Sequence, residues 1–198
     1  MKVVVATHNP GKLRELEAIL ALELELVSQA ALGIPGAEEP HATFVENALA
    51  KARHASGAAR LPALADDSGL CVPALGGAPG VHSAYYAGRE GQRDERDARN
   101  NRKLLAELGD GRFAYYCCVM VLVRRPDDPR PLIAEGLWHG EIARAPRGTN
   151  GFGYDPLFSV AGTRQTAAEL SAAVKNRISH RAVAARRLLE LLHGEDRS

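Results

Sequence analysis

An apolar run, Leu61-Pro62-Ala63-Leu64-Ala65, ends on two adjacent carboxylates, Asp66 and Asp67, and Ser68-Gly69-Leu70 follows at once. Neighbouring acids repel unless a cation offsets them, and hard divalent cations take carboxylate oxygens. The segment reads as a strand that delivers two acids and a hydroxyl to a glycine turn. A polar turn closing an ordinary strand is the plainer alternative. The next ten residues, Cys71 to Gly80, form a wall rich in glycine and proline, which favours a site.

The lysines point the same way. Only five of the 25 basic residues are lysine: Lys2, Lys12, Lys51, Lys103 and Lys175. Where arginine is the habit, a lysine marks a place for a compact point charge. Sorted by chemistry, Thr7, Asn9, Lys12, Lys51, Lys175 and Arg181 could serve phosphate. Asp66, Asp67, Glu38 and Glu39 offer oxygens to a metal. Phe152 and Tyr154, spaced by Gly151 and Gly153, offer a stacking surface. Asp155, His180 and Arg181 offer groups for a base edge. Cations, Mg²⁺-type ligands and an aromatic plate together describe a nucleoside triphosphate site. Each residue also has a structural reading. Thr7-His8-Asn9 can cap a helix, Lys51 can be a solvated helix lysine, the aromatics can be core, and Glu38-Glu39 can be a solvated loop. His180 is a hydrogen-bonding residue at a helix start before it is a base.

The elements that must carry these residues follow from pattern. Lys2 to Ala6 is an apolar strand. It feeds Thr7-His8-Asn9-Pro10-Gly11-Lys12 and a helix with Leu13, Leu16 and Leu20 on one face, Asn9 as N-cap and Pro10 at the first helical position. A strand, short loop and helix start is a place where backbone N–H groups can meet phosphate. A second strand lies near 24–28. Thr43 with Glu46 forms a capping box for a helix whose stripe is Val45, Ala48, Leu49, Ala52, Ala55 and Ala59, with Asn47 and Lys51 sharing an edge. A charged helix runs from about 94 to 108. Phe113 to Val123 and Leu132 to Ile142 read as long strands of a hairpin. A glycine–aromatic loop covers 148–156, a helix lies around 167–173 with Lys175 after it, and Ser179-His180-Arg181 opens a last helix with Ala184, Leu188 and Leu191 inward. The stretch from Gly88 to Arg99 suggests no function.

The chain has 198 residues, 25 basic against 24 acidic, with net charge +1 and 45% hydrophobic residues. That balance gives no reason to expect a nucleic-acid or membrane partner, and it suits one α/β domain over 1–198. The start reads as a strand and not as a signal peptide, and no apolar run reaches membrane length. Three cysteines, two of them adjacent, read as buried, reduced thiols of a cytoplasmic protein. A phosphate-binding P-loop fails, because its first glycine would fall at Ala6 and Leu13 replaces the hydroxyl. There is no Gly-x-Gly-x-x-Gly after a strand and no Gly-x-Ser-x-Gly elbow.

The segments THNPGK (7–12), EEPHATFVENALAKA (38–52), ADDSGL (65–70), LGGAPGVHSAYYAG (75–88), GFGYDPLF (151–158), TAAEL (166–170) and KNRISHR (175–181) together resemble the inosine triphosphate pyrophosphatase family, in order and over nearly the whole chain. The resemblance implies an elongated, two-lobed α/β protein. Its central mixed sheet would be flanked by helices, with the active-site groove between the lobes, usually in a homodimer. It implies Mg²⁺-dependent hydrolysis of deaminated purine nucleoside triphosphates (ITP, dITP, XTP, dXTP) to the monophosphate and pyrophosphate, which cleanses the nucleotide pool. By position, it assigns Thr7, His8, Asn9, Pro10, Gly11 and Lys12 to the phosphates, and Asp67 to proton acceptance and metal. It further assigns Ser68 and Lys175 to substrate, Phe152, Gly153, Tyr154 and Asp155 to the base, and His180 with Arg181 to the oxygenated base edge. Glu39 would join the metal and Lys51 the phosphates, with Glu38 the competing choice. Another modified nucleotide as substrate, or a nucleotide sensor without turnover, are the alternatives.

Overall fold

The computed structural model describes residues 1–195. Six strands form one mixed sheet in the order β2-β1-β3-β4-β5-β6. They are β1 (Lys2–Val5), β2 (Glu25–Ser28), β3 (Ala63–Cys71), β4 (Phe113–Val123), β5 (Leu132–Ile142) and β6 (Phe158–Val160). The helices are α1 (Pro10–Leu20), α2 (Phe44–Ala59), α3 (Arg93–Glu107), α4 (Ala172–Ile178) and α5 (His180–Glu195). β1 pairs parallel with β2 and β3, and β5 pairs antiparallel with β6. This is the α/β class read from the sequence.

The chain divides into two compact units. One comprises Met1–Asp67, Cys118–Gly136 and Ser179–Ser198; the other comprises Ser68–Cys117 and Leu137–Ile178. Each has its own apolar core. In the first, Val3, Val5, Leu64, Met120 and Leu122 from the strands meet Leu16 and Leu20 of α1 and Leu188 of α5. In the second, Leu70, Tyr116, Trp138 and Phe158 meet Leu104 of α3.

Local chemistry explains the helix starts. Asn9 caps α1, its Oδ1 accepting from Gly11 N–H (2.9 Å) and Lys12 N–H (3.1 Å), with Pro10 in the first turn. Thr43 caps α2 and accepts from Glu46 N–H. Its hydroxyl also donates to the Glu46 carboxylate, so that acid does not close the box on the backbone.

Four expectations change. Ser68-Gly69 is not a turn, because β3 continues through it to Cys71. Gly69 is there for close approach: a Cβ would collide with the Gly80 carbonyl oxygen and stand 2.5 Å from Ser83 Oγ, which accepts from Leu70 N–H. The predicted helix over 167–173 is instead a single 3₁₀ turn, Ala167–Glu169, followed by α4. Two starts compete there: the Glu169 side chain accepts from Thr166 N–H, and Ser171 Oγ accepts from Val174 N–H. Lys175 consequently lies within α4. On α2, Asn47 and Lys51 are on the buried face while Val45 is exposed. On α5, Ala184 and Leu188 point inward and Leu191 is exposed.

Candidate active site

With no turn after them, Asp66 and Asp67 stay in regular strand geometry, where successive side chains leave on opposite faces. Their partners show this division. Asp66 Oδ1 accepts from Lys12 Nζ (2.6 Å), and its Oδ2 accepts from Arg181 Nε (2.6 Å) and the Cys118 thiol (3.3 Å). Arg181 also pairs with Glu15 of α1. Asp67 Oδ1 accepts from Lys51 Nζ (2.6 Å), and Lys51 reaches Glu39 at 3.5 Å. All of these residues belong to the first unit.

The electrostatics of the neighbours differ. Burial alone would raise the Asp66 carboxyl, but the Arg181 and Lys12 charges outweigh it and hold the group well below the usual carboxylate range. Asp67 goes the other way. Burial pushes it up further than Lys51 draws it down, and its Oδ2 is buried without a hydrogen-bond partner. Burial also penalises the Lys51 ammonium, yet Asp67 and Glu39 together raise it. Asp66 is thus a saturated anion, and Asp67 has an oxygen to spare.

A divalent cation fits that spare oxygen. Across this network the carboxylates of Glu15, Glu39, Asp66 and Asp67 outnumber the cations of Lys12, Lys51 and Arg181. Asp67 Oδ2 is an orphaned acceptor, and Glu39 shares its lysine. Among the described residues no group of three or more His, Cys, Asp or Glu side chains is placed to hold a metal ion. Two carboxylates suffice for Mg²⁺, which keeps waters and takes its remaining ligands from substrate phosphates. Of the two loop acids, Glu39 is the one paired with Lys51.

The remaining loop residues of the first unit are placed by capping. Thr7 Oγ1 accepts from Asn9 N–H (3.1 Å), which leaves its hydroxyl proton to donate. Because Asn9 already takes the Gly11 and Lys12 amides, the loop's offering to an anion is chiefly the Thr7 hydroxyl and the Lys12 ammonium. The exposed His8 ring is held by Gln29 at 2.9 Å. Pro10 occupies the first turn of α1, and Gly11 is buried. His180 and Arg181 are both buried at the start of α5, where Ser179 Oγ accepts from Ala182 N–H.

The second unit holds the aromatic loop. Phe152 is half-buried, whereas Tyr154 is a core residue whose hydroxyl donates to the Ser83 carbonyl (2.9 Å). Of the two, Phe152 has the accessible ring. Lys175 Nζ and the Arg93 guanidinium lie 4.8 Å and 4.9 Å from its centroid. Asp155 is buried, accepting from Phe152 N–H (2.9 Å), Lys175 Nζ (2.5 Å) and the Tyr116 hydroxyl (3.3 Å). Its carboxylate occupies the space a Cβ at Gly151 would need, and Gly151 also has φ +75°. Ser68 is half-buried on β3. Each of the three singled-out lysines therefore has its own aspartate: Lys12 with Asp66, Lys51 with Asp67, Lys175 with Asp155.

Sequence reasoning missed Glu15, which completes the Arg181 pairing, and the α3 residues Arg93, Asp97 and Asn101, which contact the aromatic loop. The four-residue spacing of the α3 set on one helix edge was the available signal.

Comparison with known proteins places the chain. The sequence profile of the Ham1 family matches residues 3–191. A Ralstonia nicotianae protein named dITP/XTP pyrophosphatase is 60% identical over 194 residues, covering 96% of this chain and 96% of its own. A Burkholderia pseudomallei protein of the same name is 59% identical over 194 residues, covering 96% and 93%. The solved structure of a HAM1 protein from Coxiella burnetii superposes with a TM-score of 0.87 at 46% identity, covering 98% and 99%. The resemblance carried by the seven motifs is borne out: the chain belongs to the Ham1 family.

Proposed function

We propose that this protein hydrolyses deaminated purine nucleoside triphosphates, ITP and XTP and their deoxy forms, to the monophosphate and pyrophosphate in the presence of Mg²⁺. One observation carries the reading. Asp67 keeps a buried, unpartnered carboxylate oxygen beside Glu39 and Lys51, in a chain 60% identical to a protein named for this activity. The match to one family profile over residues 3–191 supports a single functional domain.

Asp67 and Glu39 would hold the Mg²⁺, which when bound neutralises phosphate charge. Phosphoryl transfer is mainly positioning and charge neutralisation, so the chain's own cations matter as much. Lys12 and Lys51 meet phosphate oxygens, and the Thr7 hydroxyl donates to one. His8, Asn9, Pro10 and Gly11 shape that loop. Asp67 orients the attacking water toward the α-phosphorus and takes its proton. Ser68 and Lys175 contact substrate. Phe152 stacks the base, with Gly153, Tyr154 and Asp155 fixing its loop. A donor from His180 or Arg181 is satisfied by the 6-oxo group of hypoxanthine or xanthine. Against the 6-amino group of adenine it would be left unpaired, which is the costly outcome for a buried donor.

Phe113 is half exposed, its ring stacked 6.0 Å from His139, with Leu137 exposed on the same strand pair. This apolar face supports a homodimer, and light scattering should give twice the 21.2 kDa chain mass. Among the described residues no helix is long and apolar enough to cross a membrane. The proposed enzyme is cytoplasmic, and its partners are small nucleotides. The reaction is tested by hydrolysing ITP in ¹⁸O-water. Attack at the α-phosphorus puts the label in IMP, whereas label in pyrophosphate, or release of orthophosphate, would overturn the mechanism.

A further inference from the structure

The turn that presents Phe152 is held from outside by one edge of α3. Asp97 Oδ2 accepts from Gly153 N–H (2.9 Å), and one turn on, Asn101 Nδ2 donates to the Gly153 carbonyl (2.9 Å). Both backbone polar groups of a single residue therefore go to side chains four residues apart on one helix. Arg93, four residues before Asp97, lies over the Phe152 ring and reaches Asp97 at 3.7 Å. Gly153 has φ +64° and open space where a Cβ would stand, so α3 adds to the hold that Asp155 has on the neighbouring Phe152 N–H. Asn101 also donates to the Asp97 carbonyl (2.9 Å), which sets its amide orientation and leaves Oδ1 buried without a partner. A buried unsatisfied acceptor is a standing cost, consistent with a side chain kept for what its nitrogen holds.

We propose that Asp97 and Asn101 are positioning residues for nucleotide recognition: α3 fixes the Gly153 backbone and so sets how well Phe152 receives the base. This rests on the reading above that the Phe152 loop takes the base. It assigns a role to a helix that touches no phosphate or metal ligand named here.

The test compares Asp97→Ala, Asp97→Asn and Asn101→Ala with Phe152→Ala in steady-state hydrolysis of ITP. Asp97→Ala and Asn101→Ala should each raise KM about tenfold, the scale of a lost charge-assisted or backbone-holding hydrogen bond, with kcat within about twofold. Asp97→Asn, which keeps an oxygen to accept from Gly153 N–H, should recover most of the loss. If Asp97→Ala does not fold, Asn101→Ala decides. Raised KM in Phe152→Ala with unchanged KM in both alanine variants of α3 would overturn the positioning role alone. A fall in kcat at constant KM would overturn it too. Unchanged KM in Phe152→Ala would instead remove the base-loop reading on which the proposal stands.

Discussion

Replacing either of two neighbouring aspartates by asparagine should give opposite phenotypes. Asp66 has no exposed side-chain surface and answers two cations, Lys12 at 2.6 Å and Arg181 at 2.6 Å, the latter itself fully buried. Asparagine has one oxygen for two cationic donors and turns an NH₂ toward one of them. Breaking a buried pair in this way leaves an uncompensated charge, which costs about 3–5 kcal/mol. In a chain of this size each kcal/mol moves the melting temperature by about 2–4 °C, so Asp66→Asn should melt roughly 10 °C lower. Asp67 differs. Its carboxyl is already disfavoured by burial, one oxygen has no partner, and Lys51 retains Glu39 when the charge is removed. Asp67→Asn should stay within about 1 kcal/mol of the wild type in stability, while kcat for ITP falls by about a hundredfold or more. Differential scanning calorimetry and pyrophosphate release on the same preparations read both quantities. If Asp66→Asn keeps its melting temperature within 2 °C (a shift of about 1 kcal/mol or less), or Asp67→Asn loses the 10 °C instead, the division of labour across β3 is wrong.

Three further substitutions probe the scaffold. Gly69→Ala forces a Cβ against the Gly80 carbonyl and Ser83. It should destabilise by about 2–3 kcal/mol in urea titration, and a neutral result would mean that β3 can shift away. Asp128 sits between β4 and β5, accepting from Arg124 N–H and Arg130 N–H, each at 2.9 Å. Burial opposes its ionisation, but those N–H groups prevail and lower its pKa. Its stabilising effect is therefore present above the unfolded-state value and lost as pH falls through the folded one. Asp128→Ala should cost about 1–2 kcal/mol at pH 7, with the gap to wild type closing below about pH 4; a gap that persists at acid pH would point to packing instead. Lys175→Ala removes the cation from both Asp155 and the Phe152 ring and should raise KM for ITP about tenfold, whereas an unchanged KM would leave Lys175 a purely structural partner of Asp155.

What the sequence made legible was whatever depends on near neighbours. The bounds of β4 follow from its apolar run and those of β5 from its return after the turn, and the Asn9 and Thr43 caps follow from residues two or three positions away. Long-range partners were hidden. Gly69 looks like a turn residue until Gly80 and Ser83 are seen pressed against it. Lys51 looks solvated because its partner, Asp67, lies outside the helix pattern. That Glu39 pairs with Lys51 is visible only from the distance between them. Tyr154 and Phe152 are alike in sequence, and only the core around Tyr154 separates them. The stretch up to Arg99 reads as functionless because its run of charges hides Asp97, which holds a loop more than fifty residues away.

Pyrophosphate release should be measured with Mg²⁺ across ITP, XTP, dITP, GTP and ATP. IMP, dIMP or XMP with stoichiometric pyrophosphate is expected from ITP, dITP or XTP, with turnover of ATP lower by orders of magnitude. Equal turnover of ATP, or orthophosphate as the product from ITP, would contradict it.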